Sequence, residues 1–376
     1  MMRIGFIIYG SLDTLTGGYL YDRIVVQGLR KLGHQVEVIS LPSGPYLPSL
    51  ALNFSPGLCR RMLAGRFDVI IEDELCHPSL FLLNRRLRPP AGPVRLALVH
   101  HIRCDEPRPR WKNLLLSVAE RSFLSSVDGF ILNSQTTRRT VMSLVNHPRP
   151  QVIAYPAGNR MANPLSADAL RARARRSGPL ALLFLGIVIP RKGLLPLLEA
   201  LAGVDRDLWR LTIVGGLEWD PAHAAHARQR VRQLGLSEAV RFMGVQEDGA
   251  LAEILRTHHL FCMPYAYEGF GIAILEAMAF GLPAMGCRQG AAGETIRHGK
   301  NGFLLDEGDL AGLRSILIRL HGDREELERL SLAAQATYAG APTWEQGVHT
   351  IERFVWQMKG LRDGEKVMVP AGSAMP

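Results

Sequence analysis

No hydrophobic run in this sequence is long enough to cross a bilayer. The longest, Leu180 to Ile189, falls well short of the roughly 18 to 20 residues that a spanning helix requires, and it reads as a core strand. The five cysteines, Cys59, Cys76, Cys104, Cys262 and Cys287, are scattered without paired spacing. An odd, unclustered set points to a reducing compartment and away from a zinc site. No G-x-G-x-x-G fingerprint and no P-loop occur, which removes the main sequence tests for dinucleotide binding and for NTPase chemistry. No basic stretch carries interleaved aromatics, so no nucleic-acid partner is expected. There is no internal repeat and no low-complexity tract. The opening residues, MMRIGFIIYGS, lack a small-residue cleavage site and read as a buried strand rather than a secretory signal. A cytoplasmic protein, peripheral at most on the inner face of a membrane, is the expectation.

What is present fits a soluble globular enzyme. The 376 residues are 47% apolar and 21% charged, enough for two domains that each bury a core. The formal net charge is +9, and arginine supplies most of the excess. Local clusters lie at Arg60-Arg61, at Arg85-Arg86 with Arg88, and at Arg171, Arg173, Arg175 and Arg176. Singly each reads as a solvated face. Together they permit an anionic partner such as a phosphate or an acidic membrane surface.

Along the chain, β and α patterns alternate. Arg3 to Tyr9 is a continuous apolar strand, the mark of a parallel sheet covered on both faces. Gly17-Gly18, a helix closed by Gly33 and the alternating strand His34 to Ser40 complete a β-α-β opening. Further strands are read at Phe67–Ile71, Val94–Val99, Gly129–Leu132 and Gln151–Ala154. Pro156 to Gly178 interrupts the pattern and reads as a connection with room for one short helix. A second series runs through strands at Leu180–Leu185, Trp209–Val214, Val240–Met243, Leu260–Met263, Ala284–Gly286 and Gly302–Leu305. The expected organisation is α/β: two facing Rossmann-like doubly wound domains, residues 1–165 and 166–342, with a ligand cleft at the carboxyl ends of the strands. A terminal helix, 343–360, and a frayed tail, 361–376, follow.

Candidate chemistry collects at strand ends. Between Tyr265 and Pro283, Glu268 and Glu276 stand eight positions apart around the turn Gly269-Phe270-Gly271 and the apolar Ile272 to Leu275. Gly281 and Pro283 stop a helix that the glycine turn opens, and such a helix start attracts anions. Pro190-Arg191-Lys192-Gly193 puts two cations at a strand-to-helix turn, suited to a diphosphate; as an isolated feature it is also a common basic loop. His100-His101 ends a strand, where histidine suits a general base or a hydroxyl contact; a lone histidine there is more often structural. Glu72-Asp73-Glu74 ends another strand and reads as a solvated acidic cluster. Gly17-Gly18 lets backbone approach a bound group closely, or serves a flexible loop.

Taken in order, these pieces resemble the retaining, nucleotide-sugar-dependent glycosyltransferases of the family 4 type, which have the GT-B architecture. YEGFGIAILEAMAFGLPAMG matches that family's paired-glutamate signature, flanked by VRFMGVQEDGALAEIL, HLFCMPYAYEGF and GETIRHGKNGFLL. Asn133-Ser134 and Trp344, at the start of a terminal helix returning to the first domain, also fit. The resemblance implies metal-independent transfer of a sugar from a nucleoside-diphosphate donor to a hydroxyl acceptor, with no cofactor. It implies that Glu276 holds the ribose hydroxyls, and that Glu268 with the amides of Gly269, Phe270, Gly271 and the adjoining Ile272 holds the donor sugar. Gly244 and Val245 lie beside the base, Lys192 with the amides of Gly17 and Gly18 grips the diphosphate, and His100, with His101 adjacent, is the catalytic histidine. Ile187 departs from the pattern, because the family usually has arginine there, five positions before its lysine; Arg191 is placed to supply that charge. A nucleotide-sugar epimerase of the same fold, or a sugar-nucleotide-binding protein with weakened catalysis, stays open on these residues. For the acceptor, the apolar-basic segments Pro78–Arg88 and Trp111–Arg121 suggest rest on an anionic membrane and a lipid-linked acceptor, against the plainer reading of helices packed on the sheet.

Overall fold

The computed structural model describes residues 1–87, 92–106, 109–161, 165–263 and 268–364. Contacts divide the chain into two compact units, Met1–Pro156 with Trp344–Pro376, and Ala157–Thr343. Unit 1 holds six parallel strands: β1 (Arg3–Tyr9), β2 (Gln35–Leu41), β3 (Val69–Asp73), β4 (Val94–Val99), β5 (Gly129–Leu132) and β6 (Gln151–Ile153), in the order β2-β1-β3-β4-β5-β6. Unit 2 holds β7 (Leu180–Leu185), β8 (Trp209–Val214), β9 (Val240–Gly244), β10 (Leu260–Met263), β11 (Ala284–Cys287) and β12 (Gly302–Leu305), also all parallel, in the order β12-β11-β10-β7-β8-β9. Strands β3, β4 and β5 are buried at every position, as expected where helices cover both faces of a parallel sheet. The fold is therefore the expected α/β, doubly wound kind, twice over.

The terminal helix Trp344–Asp363 belongs to unit 1. Its Val348 packs so closely on the first helix, Gly17–Lys31, that a Cβ at Gly28 would lie 2.6 Å from a Val348 methyl. Tyr21 meets the Trp344 ring edge-on at 5.6 Å, and Lys359 Nζ lies 3.1 Å from Asp68 Oδ1. The sequence reading does not mark the helices Pro56–Ala64 and Gln135–Leu144.

Two polar features differ from the sequence reading. Within Pro156–Gly178, Ser166 caps a helix, Ala167–Ala174, that packs into unit 2. Its Arg173 is 4% exposed and donates to the carbonyls of Phe280 (2.9 Å) and Gly281 (2.7 Å) and to Ser331 Oγ (2.9 Å). One arginine of the basic run is thus interior, while Arg171 and Arg175 stay outside beside Glu328. The second correction concerns Glu72-Asp73-Glu74, which is buried rather than solvated. Glu72 accepts from Asn84 Nδ2 at 2.6 Å with Arg95 3.8 Å away. Glu74 meets the Glu120 carboxyl and lies 3.0 Å from His77 Nδ1. Burial pushes the carboxyl of Glu74 up to about 8 and that of Glu120 up to about 7.

Replacing Arg173 by leucine takes the guanidinium from the buried Phe280 carbonyl, at about 1–3 kcal/mol, and leaves the Gly281 carbonyl to Ser331 Oγ alone; thermal unfolding should show unit 2 destabilised. The raised carboxyls set the sign of a pH effect. Folding favours their protonated forms, so this stability is complete below their ordinary value of 4.5 and is lost as pH rises through about 7 to 8. Unit 1 should melt at lower temperature at pH 9 than at pH 7, and Glu74→Gln should reduce that difference.

Candidate active site

In unit 2 the chain order reverses between β7 and β10, which lie side by side while their successors run to opposite edges. Such a switch point leaves a crevice at the strands' carboxyl ends, where ligands of doubly wound folds bind. The loop after β7 ends in a short turn, Pro190–Lys192, closed by Gly193 in the left-handed conformation at φ 69°. The loop after β10 runs to Gly271, left-handed at φ 87°, which caps the helix Ile272–Ala279. Residues 265–267 of the glutamate signature lie outside the described residues.

These two loops meet through charge. Lys192 Nζ donates to Glu268 Oε1, and Arg191 Nη1 lies 3.8 Å from the same oxygen. Burial lowers the Lys192 pKa and Arg191 adds to this, while Glu268 opposes it. Arg191 therefore stands with Lys192 at one carboxylate. Ile187 is half-buried in the same loop, which passes so near Gly215 that a Cβ there would come within 2.0 Å of the Gly186 carbonyl oxygen. Gly269 and Phe270 precede the helix, with Phe270 buried. Gly244, at φ 66°, ends β9 and accepts from Gly215 N at 2.9 Å, and Val245 beside it is 44% exposed.

Glu276 lies on the helix Ile272–Ala279 and is 4% exposed. Burial raises its pKa, and Arg160 counters that. Arg160 Nε donates to Glu276 Oε1 at 2.9 Å, and its Nη1 bonds Asp248 Oδ1 at the start of the helix Asp248–Thr257. Sequence reasoning missed Arg160, because it lies in the stretch read as a connection and no spacing marks it.

In unit 1 the residues after β1 and β4 come together. Gly17 and Gly18 are not in a loop before the first helix; they form its first turn, with Thr16 as N-cap. A Cβ at Gly18 would lie 3.5 Å from the His100 ring. His100 is 8% exposed; its Nε2 lies 2.9 Å from Asp22 Oδ1, and its carbonyl accepts from Asn133 Nδ2 at 2.7 Å. Burial alone would lower the His100 pKa, but Asp22, Asp73 and Glu74 together raise it to about 9. The raised pKa favours the protonated ring, whose Nε2 donates to Asp22, and so favours the hydroxyl contact over the general base. His101 turns elsewhere, to Glu106 Oε1 at 2.9 Å.

Among the described residues, two buried groups have donor sets that a metal ion accepts, Asp22–Asp73–His100 and Glu74–His77–Glu120, each with ligand atoms within 4.8 Å of one another. Spacing along the sequence showed neither, because several elements contribute to each. In the first set burial and the neighbouring Asp22 push the Asp73 pKa up.

Comparison with known proteins bears on the family and the fold. The profile of the family described as "Glycosyl transferases group 1" matches residues 167–337. The chain is 31% identical over 348 residues to the phosphatidyl-myo-inositol mannosyltransferase of Mycobacterium leprae, covering 85% of this chain and 87% of that protein. It is 25% identical over 393 residues to the D-inositol 3-phosphate glycosyltransferase of Nocardia farcinica, covering 93% and 86%. In fold it resembles the sucrose-phosphate synthase of Thermosynechococcus elongatus, with a TM-score of 0.82 at 18% identity, covering 96% of this chain and 100% of that one. Two doubly wound units of GT-B type and extended similarity to sugar-transferring enzymes lead to one conclusion: the chain belongs to the group 1 glycosyltransferases.

Proposed function

We propose that the protein transfers a sugar from a nucleoside-diphosphate sugar to a hydroxyl acceptor, with retention of anomeric configuration and without a metal ion. The convergence of Lys192 and Arg191 on Glu268 at the switch point of unit 2 carries this reading. There the cations meet the diphosphate as the bond from the anomeric carbon to the phosphate oxygen breaks, and Glu268 holds sugar hydroxyls. The amides of Gly269, Phe270, Gly271 and Ile272 assist. Glu276 takes the ribose, and Gly244 and Val245 flank the base. In the free protein Glu268 and Lys192 neutralise each other, so donor binding exchanges one ion pair for two contacts with substrate. Glu268, engaged by the sugar hydroxyls, is poorly suited as a nucleophile. This favours attack by the acceptor hydroxyl on the face the diphosphate leaves, with the hydroxyl proton passing to the departing phosphate oxygen.

Unit 1 takes the acceptor side in this reading. His100 and the first-turn amides of Gly17 and Gly18 offer hydrogen bonds to a hydroxyl or phosphate bound at this unit's strand ends. His101, paired with Glu106, is a minor contributor. The names of the two curated relatives, one an inositol lipid mannosyltransferase and the other an inositol phosphate glycosyltransferase, favour a polyol acceptor that carries phosphate or a lipid.

A lipid-borne acceptor agrees with one surface. The helix Arg110–Leu124 turns Trp111, Leu114, Leu115 and Val118 outward, each 62–68% exposed, with Arg110, Lys112 and Arg121 exposed among them. An outward apolar stripe with basic neighbours suits the surface of an anionic membrane. The segment Pro78–Arg88 does not share the property, since Leu80, Leu83 and Leu87 are buried and Arg88 lies outside the described residues. No helix among the described residues is long and apolar enough to cross a membrane.

The direct test is a screen of uridine, guanosine and adenosine diphosphate sugars, following nucleotide release with and without polyol and lipid-linked acceptors. Release should require an acceptor, and turnover of donor alone would sink the transfer reading. Glu276→Ala should weaken nucleotide binding by about 10- to 100-fold, the worth of one or two charge-assisted hydrogen bonds; calorimetry showing undiminished affinity would remove Glu276 from the donor site. Phosphatidylglycerol vesicles should float the protein at low salt, whereas phosphatidylcholine vesicles should not. A Leu114→Asp, Leu115→Asp double variant should stay behind.

A further inference from the structure

Arg160 has no place in the donor site as read above, yet it is the residue most intimately joined to Glu276. Three features bring it there. The chain enters unit 2 against the helix Ile272–Ala279, and glycine permits the approach: a Cβ at Gly158 would lie 2.7 Å from the Leu275 carbonyl carbon and 3.0 Å from Glu276 N. Two residues later the Arg160 side chain, 23% exposed, reaches back to the carboxylate. Its planar fork then ties together two acidic groups from separate elements, Glu276 through Nε and Asp248 through Nη1. A lysine ammonium has no such fork.

The electrostatics give this contact a consequence. Glu276 is almost wholly buried, and burial disfavours its charged form. Asp248 disfavours it further. Arg160 and Asp248 are the charged groups acting on it, and Arg160 alone favours ionisation. Asp248, 56% exposed, keeps water as a second partner, whereas the Glu276 side chain is only 5% exposed. Arg160 engages Oε1, which directs Oε2 toward any further donor.

We propose that Arg160 is a positioning residue for nucleotide recognition, holding the Glu276 carboxylate ionised and in one orientation so that it accepts hydrogen bonds from the donor's ribose. The proposal rests on the ribose-binding reading of Glu276. A neutral carboxyl in that place has a proton to bury and one acceptor fewer, so loss of Arg160 should make recognition depend on pH. The sign follows from the chemistry. Without the guanidinium, burial and Asp248 act unopposed and raise the Glu276 pKa, so affinity falls as pH falls.

The experiment is calorimetric titration of the full chain with UDP, GDP and ADP at pH 6 to 8.5, using the tightest of the three for every variant. Titration of the nucleotide's own phosphate is common to all proteins and cancels in the ratio of variant to wild-type Kd. For Arg160→Gln that ratio should be larger at pH 6 than at pH 8.5, since the ionised fraction of a carboxyl falls as pH drops below its pKa. Arg160→Lys, which keeps the charge and guards against a folding artefact, should flatten the profile in part. Glu276→Gln should bind weakly with a ratio independent of pH. A flat ratio for Arg160→Gln, with Glu276→Gln still weak, overturns the proposal alone. Tighter binding by Arg160→Gln also overturns it, because the guanidinium would then be a competitor of the ribose. If Glu276→Gln binds like the wild type, the ribose reading is wrong and the proposal falls with it.

Discussion

A carboxylate taken out of water must meet a cation, a proton or several hydrogen-bond donors, because the unpaired charge costs more than any one contact returns. Both units of this glycosyltransferase are arranged around that requirement. In unit 2 Glu268 is met by Lys192 and Arg191, and Glu276 by Arg160. In unit 1 Asp22 is met by His100, Glu72 by Asn84 and Arg95, and Glu74 by a neighbouring carboxyl that must share its proton. The chosen partner decides what each acid can do. Paired with lysine, it is a charge that substrate can exchange. Paired with histidine, it favours the ring's protonated form instead.

Parallel topology puts these pairs where they are found. A strand buried on both faces leaves only its ends for polar chemistry, and in a doubly wound sheet the ends at the switch point have room beside them. Loops after β7 and β10 occupy that position in unit 2, and Glu268 and Lys192 meet although 76 residues separate them. In unit 1 the corresponding reversal lies between β1 and β3. The carboxyl end of β3 carries Asp73 and Glu74, and the first helix brings Asp22 and the glycine pair. Left-handed glycines complete the arrangement in unit 2, since Gly193 and Gly271 each turn the chain sharply into a helix at the crevice.

Most of the fold could be read in advance because it rests on local pattern. Runs such as IGFIIY and LALLFL are apolar throughout, turn signals bound them, and alternation with helical stretches admits few architectures. The two glutamates were legible for a similar reason, as they share one helix and its approach. Glu72, Asp73 and Glu74 were misread because nothing local distinguishes an acidic strand end in water from one roofed by Asn84, Arg95 and Glu120. The arginine run failed in the same way: Arg173 is interior and Arg171 is not, and only the carbonyls waiting at Phe280 and Gly281 separate them.

By itself, then, the sequence determined the alternation of strands and helices, the two-unit α/β plan and the positions of the acids and glycines that mark a sugar-transferring family. These follow from the periodicity of burial and from backbone preference, both of which act over a few neighbouring residues. Tertiary structure alone decided the partners. It set Arg160 against Glu276, Asp22 against His100 and Arg191 beside Lys192, and so fixed which groups are charged and which way they donate. Partner choice depends on distances between elements far apart in the chain, and on how much water the packing leaves between them.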